Sequence, residues 1–339
     1  MYLKKNIFFI LFFTSLLLGV ASINIYAESE KKDDAKVDIG GMIMHHILDD
    51  YQYEVMEGVV IPLPIILYTE GDLLIFSSSN LFDENHVPLM EGYKGFYYDH
   101  GHIYSIDKTN PASFIDFSIT KNVLFLFLNA ALMLFIFLMV AKGYKNKNKA
   151  PKGIQSFMEP VILFIRDDIV KPNIGNKYER YLPYMLTLFF FIFFGNILGL
   201  LPGAANLTGN IAITMVLALS TFIITNLSGN LNYWKHIFWT PNVPNIMRII
   251  ILPIEIIGVF TKPFSLMIRL FVAITAGHIV LLSFIGMTFI FGSYIVGAMS
   301  ALFAVALNII ELLVAGIQAY VFTMFSAVYI GLAVEEEHH

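Results

Sequence analysis

Glu255, Lys262, Arg269, His278, Glu311 and Gln318 stand in surroundings that should reject them. From Ile249 to Val334 the chain is almost wholly apolar, and tyrosines aside it admits only the first five of these as ionisable groups. An arginine at mid-membrane depth costs at least ~2.5–3.5 kcal/mol even on lenient insertion scales. The residue types suit the handling of protons or ions. Histidine and glutamate can exchange protons near neutral pH when their surroundings shift them, whereas a guanidinium stays protonated at any working pH and cannot relay. Bond-making chemistry finds no support. There is no cysteine, no HExxH and no pair of membrane aspartates, so thiolate, zincin and intramembrane aspartyl hydrolysis lack their parts.

Spacing sorts these residues into stripes. Glu255, Lys262 and Arg269 are seven apart, and seven steps at ~100° drift only ~20° off one helix face. Glu311 and Gln318 are again seven apart. His278, nine residues past Arg269, points to the opposite side of its helix. Two polar stripes on a helix pair, separated by one arginine, imply two distinct aqueous routes. The alternative is a set of buried ion pairs, Glu255 with Lys262 or Arg269 with Glu311.

The elements that carry these stripes must lie in lipid. Of 339 residues 57% are hydrophobic and only 14% charged, with mean hydropathy +0.70, against ~25% charged in a soluble domain. No glycine-rich phosphate loop and no basic patch with interleaved aromatics occurs, which argues against nucleotide and nucleic-acid binding. The first 27 residues have two lysines, an apolar run from Ile7 to Val20 and a small residue, Ala27, before a polar switch. That is a secretory signal. An uncleaved anchor is the alternative, and residues from about 28 onward are exported in either case.

Three regions follow: a signal peptide at 1–27, an exported (periplasmic) region at 28–116 and a transmembrane domain at 117–339. The exported region opens with a solvated charged run, "ESEKKDDAKVD". Two β-rich apolar runs then flank Glu70-Gly71-Asp72 as a hairpin, and "EGYKGFYYDHGHIYSID" is strand-like. His45, His46, His86, His100 and His102 fall here, and neither His45-His46 nor His100-x-His102 has companion carboxylates at ligand spacing. They are expected to be surface histidines, and no metal or cofactor is expected anywhere in the chain.

Asn122–Ala141 is the first span. Five lysines between 142 and 152 then mark the cytoplasmic side. Residues 153–169 have one apolar face and carry charges, so they should lie in the interface. Spans follow at Tyr181–Leu201 and Ile211–Gly229. Residues 279–310 are uncharged for longer than one span requires. "FGSYIVG" at 291–297 should therefore reverse the chain between two long helices, about 246–289 and 295–334. The expected fold is an all-α polytopic membrane protein. It has five crossings, including a long, steeply tilted C-terminal helix hairpin, with an interfacial amphipathic helix and a small exported region containing some β-structure. The N-terminal region is outside and the C-terminus, at "EEEHH", is cytoplasmic.

At this point the chain resembles a known family. "KPFSLMIRLF…TAGHI", then about forty residues on "ELLVAGIQAYVF" and a short acidic tail, are similar to subunit a of the F-type ATP synthase membrane sector. "NILGLLPG" (196–203), "TGNIAITMVLAL" (208–219) and "LPIEIIGVFTKPFSL" (252–266) support it, and coverage runs from about Asp116 to the C-terminus. The exported region resembles the extended N-terminus of some bacterial versions.

The resemblance implies a non-catalytic, ion-conducting stator subunit of the cell inner membrane, partnered by the c-subunit ring, the b-subunit peripheral stalk and other synthase subunits. It implies that Arg269 faces the carboxylate of the rotating c-ring with Gln318 beside it. His278 and Glu311 would line an outer half-channel and Glu255 an inner one, with Lys262 in support. The family usually has Asn where this chain has Ala273, so the outer path would rely on water or on Thr275. A sodium-translocating version of the same subunit stays open, because the ion site lies on the rotor. A secondary transporter with an anion-binding arginine is a weaker reading, since no inverted repeat is visible.

Overall fold

In the computed structural model, residues 48–56, 59–69, 71–83, 88–89, 91–99, 101–106, 114–144, 151–201, 203–239, 244–291 and 293–335 are described. The expected signal peptide, the charged run after it, His45, His46, His86, His100 and the last four residues lie outside them. The chain divides into two compact units. One holds the described residues up to Leu128 with Leu198–Leu207 and Ile279–Asn308; the other holds Asn129–Ile197, Thr208–His278 and the chain from Ile309 onward.

Among the described residues, all the β-structure lies in the first unit. Strands β1 (Gln52–Met56) and β2 (Val59–Pro62) pair antiparallel. Strands β3 (Pro64–Thr69) and β4 (Asp72–Ser77) form the expected hairpin, with Thr69 opposite Asp72. The two-residue loop needs a positive φ, and Gly71 supplies it at 95°. β5 (Phe96–Asp99) and β6 (His102–Ser105) make a second hairpin. β7 (Phe114–Asp116) returns to pair with β3 and gives the order β4-β3-β7. Alternate residues of these strands, Ile65, Leu67 and Phe76, bury one sheet face against Tyr51, Leu81, Phe82, Phe96 and Ile103.

β7 runs on without slack into helix α1 (Lys121–Gly143). The Phe117, Ile119 and Lys121 amides donate to the Ile66, Pro64 and Asp50 carbonyls. Asp49 Oδ1 accepts from the Asn122 amide at the first turn. At ~1.5 Å per residue the 23 residues of α1 span ~34 Å, close to the ~30 Å hydrocarbon core.

Helix α2 (Ile154–Phe164) continues through a π-helical segment, Ile165–Val170, into the short α3 (Lys171–Ile174). Met158, Ile165, Ile169, Val170 and Ile174 are its buried face, while Phe157, Leu163 and Phe164 are exposed. The one-sided burial agrees with the amphipathic reading of 153–169. Gly175, in the left-handed region at φ 71°, then ends α3 before α4 (Tyr178–Gly199) begins. Helices α5 (Ile211–Ser228), α6 (Leu231–Phe238), α7 (Asn245–Phe291) and α8 (Tyr294–Val334) complete the chain.

Five helical segments are long and apolar enough to cross a membrane: Lys121–Gly143, Ile154–Gly199, Ile211–Ser228, Met247–Thr288 and Tyr294–Val334. The chain is an all-α polytopic membrane protein with a small β region at its N-terminal side. The core of the second unit joins Phe190, Ile165, Ile169, Met185, Ile192, Leu266, Leu270 and Ile330, all under 2% exposed.

Candidate functional site

α7 and α8 run 47 and 41 residues, about 70 and 60 Å of helix. Pro253 and Pro263 lie inside α7, each removing a backbone donor without ending it. Every residue singled out above therefore sits on one of two helices, and the question is which of them meet.

His278 and Glu311 do. His278 Nδ1 lies 2.7 Å from Glu311 Oε1, with side chains 14% and 7% exposed. Gly277 lies beside them; a Cβ there would make an ordinary van der Waals contact with Glu311 Oε1, at 3.5 Å. Thr275, one turn from His278, has a buried hydroxyl with no partner among the described residues.

Arg269 is half-buried and meets no carboxylate among the described residues. Its guanidinium lies over the Phe325 ring, 4.3 Å from the centroid. That contact stabilises a cation without neutralising it. The expected alternative of an Arg269–Glu311 ion pair does not form, because Glu311 is engaged with His278. Gln318 is half-buried on α8. Nine residues separate His278 from Arg269 and seven separate Glu311 from Gln318. Both therefore lie ~10–14 Å along their helices from the His–Glu contact, at matching depth.

Lys262 and Glu255 also stay apart; no ion pair joins them among the described residues. The Lys262 ammonium sits over the Tyr329 ring, 5.6 Å from its centroid. Both border a small open cleft that Thr221, Thr225, Asn226 and Tyr233 also line. Glu255 approaches the same place. Burial pushes the Tyr233 phenol above its ordinary value, and the negative charge of Glu255 adds to the rise.

Several residues at this site were not singled out from the sequence. Phe325 had a signal, because it continues the seven-residue stripe of Glu311 and Gln318. The hydroxyl set had none. Tyr184 Oη lies 3.0 Å from Ser220 Oγ and 2.8 Å from Thr221 Oγ1, and Thr221 reaches Ser326 on α8 at 3.2 Å. Serines and threonines inside apolar helices read as filler, since each can bond its own backbone one turn earlier. Asn196 takes a hydrogen bond from Thr208 Oγ1 at 2.6 Å and donates to the Ala315 carbonyl at 3.3 Å, all buried. Two motifs quoted separately from the sequence thus meet beside α8.

Comparison with known proteins bears on what this arrangement belongs to. Residues 123–331 match the family described as ATP synthase A chain. The chain belongs to the ATP synthase A chain family. Among curated relatives, ATP synthase subunit a of Chloroherpeton thalassium is 45% identical over 231 residues, 66% of this chain and 69% of the relative. ATP synthase subunit a 2 of Chlorobaculum tepidum is 40% identical over 318 residues, 91% of this chain and 77% of the relative. ATP synthase subunit a of Pelodictyon phaeoclathratiforme is 39% identical over 327 residues, 94% and 81%. The last two alignments must take in most of the region ahead of α1. Residues 42–122 separately match a domain of unknown function. Membership gives this ATP synthase A chain a place in the membrane sector of an F-type ATP synthase, working with the other subunits as a multi-pass membrane protein.

Proposed function

We propose that this chain is the non-catalytic, proton-conducting stator subunit of the synthase, with Arg269 as the charge that separates two half-channels. The observation that carries the reading is an arginine inside a spanning helix with no acid of its own among the described residues. A permanent cation in a low dielectric, held by a ring face, favours any mobile carboxylate that comes opposite it. The c-ring would supply that carboxylate, ionised as it passes Arg269 and neutral elsewhere in lipid.

The rest of the chemistry follows from this role. A proton cannot cross the lipid as a bare charge, so it needs water access from each side, offset, with no continuous path. His278 and Glu311 share a short hydrogen bond and can hand a proton between them on the outer route, with Thr275 offering a further hydroxyl. Glu255, Lys262 and the cleft that Lys262 borders form the inner route. Arg269 lies between and cannot relay, so it blocks a direct leak. Gln318, at the same depth, offers a neutral amide beside the passing carboxylate.

In this reading residues 1–27 are a signal peptide, 28–116 are periplasmic and 117–339 form the transmembrane domain in the inner membrane. The lysines at 142–152 face the cytoplasm, as does the C-terminus. The b-subunit stalk holds the chain against the ring. Protons are favoured over sodium because His278 is a poor sodium ligand.

Arg269→Ala should abolish ATP-driven acidification of inverted vesicles while the complex still assembles. Arg269→Lys should fail too, since a lysine can lose its proton and lacks the planar fork. Normal pumping by either variant overturns the assignment. Pumping that needs sodium and resists protonophores would replace the proton with sodium and keep the rest.

A further inference from the structure

The sheet β4-β3-β7 has two apolar faces, and the described residues cover only one. An antiparallel sheet with one solvated face normally reads apolar inside and polar outside. Here the outward positions are Tyr68 opposite Leu73 and Ile115, and Ile66 opposite Ile75. Phe117 extends the second row, its amide bonded to the Ile66 carbonyl at 2.9 Å. Leu73, Ile75, Ile115 and Phe117 are 56, 58, 56 and 61% exposed, and Tyr68 is 43%. Six apolar side chains, without a charge among them, form a continuous patch of the kind that marks a contact surface.

The sheet's attachment identifies what covers this patch. β7 does not reach α1 through a free linker: the amides of Phe117, Ile119 and Lys121 are each bonded across to neighbouring backbone. Tyr53 of β1 packs edge-on against Phe125 in the second turn of α1, with centroids 5.3 Å apart. Phe117 precedes Lys121 by four residues, so it lies within ~14 Å of the start of the spanning helix. The headgroup zone extends ~5–8 Å beyond the hydrocarbon core. A sheet tied this tightly to a span cannot lift its free face far from the bilayer.

We infer that the outer face of β4-β3-β7 lies on the membrane, seated in the headgroup and upper acyl region of the leaflet that α1 enters. Tyr68 and Phe117 then act as the interfacial aromatics that anchor spans at their ends. The charged run at 28–37, with three lysines among four acids, is poorly suited to cover such a face. The inference rests on α1 spanning the membrane and not on which ion the subunit conducts, so its failure would leave the flux measurements untouched.

The natural chain has no cysteine, which makes the test direct. Ile75→Cys, Phe117→Cys and, as a control on an exposed strand elsewhere, His102→Cys are each labelled with a bimane fluorophore in the assembled complex. The complexes are reconstituted in phosphatidylcholine vesicles with or without 5-doxyl chains. Doxyl lipid should quench the labels at 75 and 117 several-fold more than the label at 102, and aqueous iodide should give the reverse order. Equal doxyl quenching at all three, with iodide reaching them, would mean an open face and overturn the inference. Shielding at 75 and 117 from both quenchers would overturn it in favour of a protein cover, from another subunit, a second copy or the chain's own residues 28–47.

Discussion

His278 Nδ1 and Glu311 Oε1 stand 2.7 Å apart, 33 residues apart in the chain and on separate helices. Two groups at that distance are within reach of a direct proton transfer along one hydrogen bond. Either His278→Ala or Glu311→Ala should lower proton flux per assembled complex by about a hundredfold, the modest end for a positioned proton-transfer group. The swap, His278→Glu with Glu311→His, should keep more flux than the average of the singles. Losses that simply add, with a swap no better than either single, would assign the two residues to separate sites.

Gly331 marks a place where α8 leaves no room. A Cβ there would fall 2.0 Å from the Asn173 carbonyl oxygen at the end of α3. Gly331→Ala must push backbone apart and should destabilise the subunit by about 1–3 kcal/mol. Gly316→Ala is the matched control, because its Cβ would meet only Phe193 at 3.9 Å. Thermal denaturation of the detergent-solubilised protein should separate the two; equal midpoints would contradict the packing described.

The β region should loosen in alkali. Burial, foremost, and a hydrogen bond to Asp116 hold the proton on the Tyr51 phenol and push its pKa well above the ordinary value. Tyr98 is raised in the same direction, by burial first and then by Asp50. A pKa raised on folding means that the folded form prefers the protonated phenol. That stability is complete below the unfolded value of ~10 and is lost as pH climbs past it. Proteolytic protection of residues 48–116 should therefore fall above pH ~10. Tyr51→Phe should flatten that fall; an unchanged profile would clear Tyr51 of the role.

Deleting residues 30–110 while keeping the signal and the first span should leave proton flux through assembled complexes. Every ionisable group proposed for the path lies beyond residue 250. Complexes that assemble but conduct nothing would extend the path into the β region.

The long hairpin was legible because its evidence is bulk. An uncharged run too long for one span, reversed at "FGSYIVG" (291–297), put helices at about 246–289 and 295–334, and they run Asn245–Phe291 and Tyr294–Val334. Counted from Tyr294, near the middle of that stretch, His278 lies about 16 residues back and Glu311 about 17 forward, which sets them at one height. Contacts between distant segments were not legible. Nothing local announces that Asp116 pairs with Leu67, or that Thr221 reaches Ser326. The π-helical segment at Ile165–Val170 has no glycine or proline to signal it. What decides it is how Ile165, Ile169 and Val170 all reach the core.

Beyond Glu311, three side chains clamp α8: Asn196 at the Ala315 carbonyl, Thr221 at Ser326, and Asn230 at the Val334 carbonyl. Eleven and then eight residues separate the attachment points, roughly 16 and 12 Å of helix. A bar clamped at intervals deflects far less under a sideways load than one held at its tips. A rotor turning past α8 would load it in that way. Stiffness against shear, set by three polar clamps, would then decide how much torque is lost to bending before Arg269 shifts out of line.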